Sequence, residues 1–244
     1  MHALRSYRLL VRWQVLRFRG FLPVAILIQG LFALGIVLGY PLLFPEIDSM
    51  TVLYLATGAP AIALLTMGLV AVPQVVAQAK TEGSLEYIRT LPVPRIAFLF
   101  ADLTVWTAIV LPGVVFAVVV AAFRFGLPFA VTPLVVPALV LVALTAACVG
   151  YAIASLLPPV AATLLSQVLV VFVLMFSPLN FPVSRLPDWL QSVHSMLPIG
   201  AMGEVIRGTL ASTTFPLASG AFVLLGAWCV VGFLVTLVVL DRRG

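Results

Sequence analysis

Charged side chains are rare in this chain, and a group of them crowds into one segment, Gln78–Arg95. They lie between two long apolar runs: Lys80, Glu82, Glu86, Arg89 and Arg95. Only 9% of the 244 residues are charged, so this segment stands out. Carboxylates and guanidinium groups form strong charge-assisted hydrogen bonds. We therefore expect the segment to contact a soluble partner.

No motif for hydrolytic chemistry occurs in the sequence. The phosphate-binding pattern G-x-x-x-x-G-K-[ST] is absent, and Lys80 is the only lysine. The patterns H-E-x-x-H and G-x-S-x-G are absent as well. We expect this chain to be no enzyme, with no catalytic residue, no metal site and no cofactor of its own.

The composition predicts an all-α membrane protein. Hydrophobic residues make up 63% of the chain, and the mean hydropathy is +1.24, whereas soluble domains are roughly 45–50% apolar. In lipid every backbone polar group needs an internal partner, which leaves helices or a closed barrel. Barrels show short segments of alternating polarity, and the sequence has none. We expect residues 1–244 to form a single polytopic transmembrane domain.

Apolar runs long enough to cross a bilayer predict six transmembrane helices. They are Phe21–Gly39, Val52–Ala77, Ile96–Ala122, Phe129–Leu157, Val160–Ser177 and Leu217–Leu240. Pro158 and Pro159 make the link between the fourth and fifth spans very short, because proline cannot continue a helix without a kink.

Basic residues predict the orientation. With a cytoplasmic N-terminus, only Arg124, Arg185 and Arg207 of the 13 Lys and Arg residues fall outside. This asymmetry follows the positive-inside rule and predicts that both termini and Gln78–Arg95 are cytoplasmic. It also explains the pI of about 9.8 without a nucleic-acid partner.

Residues 1–20 have an amphipathic pattern. At 100° per residue, four arginines fall within an arc of about 60°: Arg5, Arg8, Arg12 and Arg19. Four apolar or aromatic residues lie broadly opposite: Tyr7, Leu10, Val11 and Phe18. This pattern favours a helix lying in the lipid headgroup layer. A basic tail that only sets topology is the alternative.

A short cytosolic helix is predicted within residues 78–95. Thr81 can cap its N-terminus, and Glu82 in its first turn and Glu86 one turn later are favourable near the positive end of the helix dipole. Pro92 and Pro94 stop the helix before the third span. An ordinary solvated loop is the alternative.

Residues 178–216 are too long and too apolar for a plain loop. Prolines bound one predicted helix, Pro187–Pro198, and a second runs from Gly200 to Leu210, where Glu204 and Arg207 are able to pair. We expect a hairpin that dips into the outer leaflet, where irregular backbone is tolerated if protein covers it. His194 lies on a polar face of the first helix and suits a structural role better than a metal or proton-relay role.

Uncharged polar residues within the spans are candidates for a substrate pathway: Gln29, Thr66, Ser166 and Gln167. They either face a central cavity or form hydrogen bonds to neighbouring helices, and we slightly favour the second interpretation. No ionisable residue lies mid-span, which argues against a proton- or sodium-driven antiporter. The small-residue stripe Ala146-x-x-x-Gly150-x-x-x-Ala154 allows another helix to approach closely.

The whole pattern resembles the permease subunit of type-2 ABC exporters. The most specific segments are Glu82-Gly-Ser-Leu-Glu86 with Leu91-Pro-Val-Pro-Arg95, and Phe181-Pro-Val-Ser-Arg-Leu-Pro-Asp-Trp-Leu190 with Leu197-Pro-Ile. The resemblance covers nearly the whole chain.

The resemblance implies roles for several residues. The helix around Thr81–Thr90 would be the coupling helix that docks into an ATPase, with contacts from Thr81, Glu82, Leu85, Glu86, Tyr87, Ile88 and Arg89. The outer helices would cap the exit of the pathway, with Trp189, His194, Glu204 and Arg207 in the hairpin. Two ATPase subunits carrying ATP and Mg, and a second permease, identical or related, would complete the transporter in the bacterial cytoplasmic membrane.

The prediction of the cargo follows from the lack of charge in the middle of the spans, since Asp102 lies near the cytosolic end of the third. A small lipophilic or amphipathic compound, such as a drug or antibiotic, is the first choice, and a lipid-linked glycan is the second. A transporter that needs no ATPase and a membrane assembly factor without transport activity are the alternatives.

Overall fold

The computed structural model describes residues 2–20, 23–24, 26–28, 30–31, 34–35, 39, 49–84, 94–125 and 129–242. Within these ranges the chain forms helices joined by turns and short connections, and no strand occurs there. The predicted all-α class is therefore confirmed for this part of the chain.

Nine α-helices are described, and their bounds follow in chain order. They are α1 (His2–Phe18), α2 (Ser49–Thr66), α3 (Val72–Thr81), α4 (Arg95–Phe125), α5 (Val135–Leu156), α6 (Pro159–Phe176), α7 (Asp188–Met196), α8 (Pro198–Leu210) and α9 (Ser219–Arg242). A π-turn, Met67–Ala71, joins α2 to α3 without a break, and a 3-10 turn, Val183–Arg185, precedes α7.

Five stretches of the described residues are long and apolar enough to cross a membrane. They are Met50–Thr81, Ile96–Phe123, Val135–Leu156, Pro159–Phe176 and Ser219–Val239. These stretches match the second to sixth predicted spans and make the chain a multi-pass membrane protein. Of the first predicted span, Phe21–Gly39, the structure describes ten residues, all of them helical, and the span as a whole stays a prediction.

The predicted start of the fourth span at Phe129 is wrong. Residues 129–132 form an irregular segment, and α5 begins at Val135. The amide of Thr132 donates to the carbonyl of Thr209 over 2.9 Å, and the amide of Ser212 donates to that of Ala130 over 3.3 Å. Pro133 disfavours helical backbone at the residue before it, so Thr132 pairs with the end of α8 and the helix begins only after the proline.

The two larger buried clusters of the described residues lie one at each end of the bundle. The end that holds α7 and α8 is called the hairpin end, and the end that holds Lys80 is called the Lys80 end. At the hairpin end, α2, α4, α5, α8 and α9 contribute, among others, Ile62, Val114, Val142, Ile206 and Leu225. At the Lys80 end, α3, α4 and α5 contribute, among others, Val72, Leu103, Trp106 and Tyr151.

Small residues let α5 approach the π-turn closely. A Cβ atom added to Gly150 would meet the carbonyl of Gly68, and one added to Gly68 would meet the backbone of Ala146. The stripe that begins at Ala146 therefore packs within the chain. Between membrane helices, where lipid is as apolar as the side chains, this close contact supplies much of the stability.

The helix that the amphipathic pattern of residues 1–20 predicts is α1, and it packs along α4 at the Lys80 end. Tyr7 and Thr104 share a hydrogen bond of 2.9 Å between their hydroxyls, and Val11 packs on the cluster at this end. The arginine face is exposed at Arg5, Arg8, Arg12 and Arg19. The helix is thus confirmed, and its place in the headgroup layer stays a prediction.

Candidate functional site

The Lys80 end of the second span carries the first part of the predicted coupling segment. Helix α3 continues the span to Thr81, and Gly83 ends it with a φ of 72°. Glycine adopts this left-handed conformation without the steric cost of a side chain, and it commonly follows the last helical residue. The amide of Gly83 donates to the carbonyl of Lys80 over 3.4 Å, which completes the helix end.

The prediction that Thr81 caps the start of a separate helix is wrong. Its hydroxyl donates to the carbonyl of Ala77 over 2.9 Å, one turn back within α3. Glu82 therefore follows the negative end of the α3 dipole. The Gln78 amide nitrogen lies 2.6 Å from the Glu82 carboxylate and donates to it, which offsets this unfavourable position.

Glu82 is exposed at this tip of the bundle, as a residue that meets a partner must be. The remaining predicted contacts lie outside the described residues, and their role stays a prediction: Leu85, Glu86, Tyr87, Ile88 and Arg89.

Lys80 makes a connection that sequence reasoning missed. Its ammonium donates to the carbonyls of Ala154, Ser155 and Leu157 at the end of α5, over 3.4 Å to Ser155 and 3.1 Å to Leu157. These carbonyls have no partner within α5, and a cation is favourable at the negative end of a helix. Lys80 therefore joins the tip of α3 to the short turn between α5 and α6.

The two helices predicted for the hairpin are confirmed as α7 and α8. Arg207 on α8 is buried, and its guanidinium donates to the carbonyls of Leu179 and Pro178 over 2.8 and 2.9 Å. Glu204, three residues earlier, is exposed and lies close enough to Arg207 for a favourable charge interaction, in addition to these two hydrogen bonds. Trp189 on α7 is 68% exposed.

His194 is buried, with 4% of its surface exposed, so its predicted place on a polar face is wrong. Its Nε2 atom lies 3.0 Å from the carbonyl oxygen of Phe176 at the end of α6. This bond ties α7 to the bundle, in keeping with a structural role. Among the described residues, no group of three or more His, Cys, Asp and Glu side chains lies close enough to hold a metal ion.

A cavity of about 390 Å³ lies between α7, α8 and the start of α9. Polar side chains from the first two helices line it together with apolar side chains: Gln191, His194, Ser195, Glu204, Val183 and Leu224. The volume falls in the range of small-molecule sites.

The predicted pathway residues do not converge. Ser166 is fully buried, and its hydroxyl donates over 2.7 Å to the carbonyl of Ala162, one turn back in the same helix. Gln167 on the same helix is exposed, and Thr66 is half-buried just before the π-turn. Gln29 lies outside the described residues. The described three do not line the cavity at the hairpin end.

Five described stretches are long and apolar enough to cross a membrane, which makes the chain a multi-pass membrane protein. Glu82 is exposed at one end of the bundle, and the cavity lies at the other end. A family model described as ABC-2 family transporter protein matches residues 41–238, most of the chain, so the chain belongs to that family of permeases. No curated protein matches it. Permeases of this family are transmembrane components of ABC transporters and in general work with an ABC ATPase subunit.

Proposed function

We propose that this chain is the membrane-spanning subunit of an ATP-driven exporter that moves a small lipophilic or amphipathic compound out of a bacterial cell. ATP and Mg would be bound by a separate ATPase, present in two copies. Membership of the ABC-2 permease family carries this proposal. The absence of a phosphate-binding motif from the sequence agrees with an ATPase on another chain.

The contacts at the Lys80 end support a route by which movement of the ATPase is passed to the permease. The exposed Glu82 at the tip of α3 is the described part of the surface that the ATPase would push. Lys80, two residues earlier, holds the end of α5 through three carbonyls. A displacement of the tip would therefore move α5 and α6 directly, because the Lys80 side chain alone connects α3 to their backbone.

A second permease subunit would face the exposed side of α6. Gln167 is exposed on an otherwise apolar surface of this helix, among residues such as Val168 and Val171. An amide facing lipid leaves its hydrogen-bonding groups without partners, which is unfavourable. A partner permease, or a pathway between the two permeases, would supply those partners.

The described spans support the proposed class of cargo. Thr57, Thr145, Ser166 and Thr236 lie within them, and each bonds a carbonyl of its own helix. No fixed charge is offered to a charged solute by these groups, so an apolar or amphipathic molecule suits the bundle better.

Charge reversal at the tip tests the coupling. We expect the double variant Glu82→Lys, Glu86→Lys to lose co-purification with an ATPase that carries G-x-x-x-x-G-K-[ST], and to lose ATP-dependent uptake of a lipophilic dye into inverted membrane vesicles. Asp188→Lys is the matched control, since Asp188 is an exposed acid at the opposite end. Unchanged co-purification and uptake in the double variant would show that this surface does not contact the ATPase. ATP-independent uptake would favour a transporter without an ATPase.

A further inference from the structure

Helix α1 has three sides, and the first of them is strongly basic. Residues 1–20 contain five arginines and no acidic residue. Four of these arginines are exposed on one side of the helix, which is called the arginine side: Arg5, Arg8, Arg12 and Arg19. No carboxylate of this part of the chain can neutralise them, so the arginine side suits a partner that carries negative charge.

The second side of α1 is apolar and also exposed. Leu9, Trp13 and Leu16 lie on it, and their spacing of four and three residues places them in one strip, which is called the apolar strip. At 100° per residue, the centre of this strip lies about 80° from the centre of the arginine side. The two exposed sides therefore run next to each other along the helix.

The third side of α1 faces the bundle. The hydroxyl of Tyr7 shares its hydrogen bond with Thr104 on α4, Val11 packs on the cluster at the Lys80 end, and Gln14 is buried. The centre of this side lies about 160° from the centre of the apolar strip. The strip therefore points away from the bundle.

The position of α1 along α4 places it near one edge of the bilayer. The apolar stretch Ile96–Phe123 has 28 residues, which amounts to about 42 Å of helix, whereas the hydrocarbon core of a bilayer is about 30 Å thick. The ends of this stretch therefore reach the headgroup layers. Thr104, the partner of Tyr7, lies only about 12 Å along the helix from the Ile96 end.

We propose that α1 binds anionic phospholipids, whose phosphate groups lie against the arginine side and whose acyl chains lie against Leu9, Trp13 and Leu16. Guanidinium groups form strong charge-assisted hydrogen bonds to phosphate. A phospholipid carries its charged and apolar parts next to each other, as α1 carries its two exposed sides. An acidic soluble partner would complement the arginines alone and leave the apolar strip in water, which is unfavourable.

This proposal goes beyond the proposed function, because it holds whatever the permease carries and whether or not an ATPase assists it. The test uses Trp13 of the purified full chain as a local probe, since bromine quenches nearby tryptophan fluorescence. The nanodiscs hold phosphatidylcholine with a minor share of phosphatidylglycerol. The bromine label is placed on the acyl chains of the phosphatidylglycerol, or of an equal amount of the phosphatidylcholine.

We expect stronger quenching when the phosphatidylglycerol carries the label. This excess should disappear in Trp13→Phe, which keeps an aromatic ring and reports only the other three tryptophans. It should also shrink at high salt, because salt screens interactions between exposed charges. Equal quenching by the two labelled lipids, or an excess that survives in Trp13→Phe, would overturn the proposal.

Variants on the arginine side connect the lipid preference to its charge. In Arg8→Gln, Arg12→Gln we expect the association of phosphatidylglycerol at Trp13, relative to phosphatidylcholine, to fall roughly fivefold or more, since each basic residue near an anionic surface contributes about that factor. Arg8→Lys, Arg12→Lys keeps the charge and should retain most of the preference. Arg185→Gln, at an exposed arginine of the opposite end, is the control and should change nothing.

The double glutamine variant also separates a lipid from an ATPase as the occupant of the arginine side. A folded variant with an unchanged lipid preference would overturn the proposal. If that variant also lost co-purification with the ATPase, the arginine side would belong to the contact with the ATPase instead.

Discussion

The guanidinium carbon of Arg207 lies 4.6 Å from the centre of the Tyr54 ring, so a cation of α8 rests on an aromatic face of α2. The same ring meets Phe215 edge to face, with 5.1 Å between the centroids. A cation over an aromatic face is stabilised by about 0.5–2 kcal/mol, depending on how fully it is desolvated. Together with its two carbonyl acceptors, this contact makes Arg207 the anchor of the hairpin on the bundle.

Replacing this anchor should lower the stability of the hairpin end. In Arg207→Met, the carbonyls of Pro178 and Leu179 lose their side-chain donor, and each buried group left without a partner costs about 1–3 kcal/mol. We expect a clearly lower melting temperature in detergent. Arg185→Met, at an exposed arginine that precedes α7, is the control and should melt like the unaltered protein. Equal melting of the two variants would contradict the anchoring role.

The link from Lys80 to α5 leads to a second prediction. Lys80→Met keeps the length of the side chain and removes its charge and donors, so the end of α5 loses a stabilising cation that contributes up to about 2 kcal/mol. We expect a lower melting temperature and a larger loss of ATP-dependent dye uptake than of ATP hydrolysis, because the push no longer reaches α5. Lys80→Arg preserves the charge and should retain part of the uptake. Full uptake in Lys80→Met would show that the link carries no motion.

Close packing at the π-turn gives a third prediction. In Gly150→Ala the new methyl group would collide with the backbone of Gly68, and overpacking of this kind costs about 1–3 kcal/mol. The same change at Gly226 meets nothing within 4 Å and should leave the melting temperature unchanged or raise it, since alanine favours the helix. A Gly150→Ala protein as stable as Gly226→Ala would show that α5 and the π-turn are free to separate.

Replacing Gln14 on α1 should raise the stability of the protein, unlike the changes above. Its side chain is 1% exposed, and neither its oxygen nor its nitrogen has a hydrogen-bond partner among the described residues. Gln14→Leu removes that cost at similar volume, and we expect it to stabilise the protein by about 1 kcal/mol or more. Gln191→Leu, which breaks the bond to the Leu186 carbonyl, should have the opposite sign. Melting temperatures of both variants at one detergent concentration test this prediction. A Gln14→Leu protein that melts no higher than the unaltered protein would contradict it.

The final prediction concerns pH. Burial lowers the pKa of His194 below its ordinary value, because desolvation disfavours the charged ring. The unfolded chain therefore takes up a proton more readily than the folded protein. The His194 contribution to stability is fully present above a pH of about 6.5 and is lost as the pH falls below it. Melting temperatures measured from pH 8 to pH 5 should fall less steeply in His194→Gln, whose amide keeps a donor for the Phe176 carbonyl. Parallel curves would contradict this assignment.

Much of the fold follows from local composition. Apolar runs predict the second to sixth spans because lipid demands long apolar helices, and Pro187 and Pro198 mark the limits of α7 because proline suits the start of a helix and disrupts its interior. The start of the fourth span at Phe129 was predicted wrongly, because an apolar residue near a span also packs irregular backbone against the bundle. Here the side chain of Phe129 packs on the cluster at the hairpin end, and the backbone that follows pairs with the end of α8.

The candidate sites follow less well, because they depend on contacts between distant parts of the chain. In the sequence Lys80 resembles any other basic residue, because its partner Ala154 lies 74 residues later and the contact appears only in the fold. Thr81 satisfies the local rule for a helix cap, but the span behind it is already helical, so its hydroxyl turns back into α3. Gly83 was the better signal, since glycine after a lysine commonly marks the end of a helix.

The π-turn Met67–Ala71 has a consequence for the comparison of sequences. Such a turn holds one residue more than an α-helix of the same rise, so every residue after Ala71 is rotated by about 100° from where an uninterrupted α-helix would place it. With that offset α2 faces α8 and α4, while α3 faces α5 and α6, and Lys80 reaches its carbonyls. A relative without the turn would be one residue shorter between Ser49 and Lys80. An alignment must open a single gap there, or every position of α3 will be matched to the wrong side of the helix.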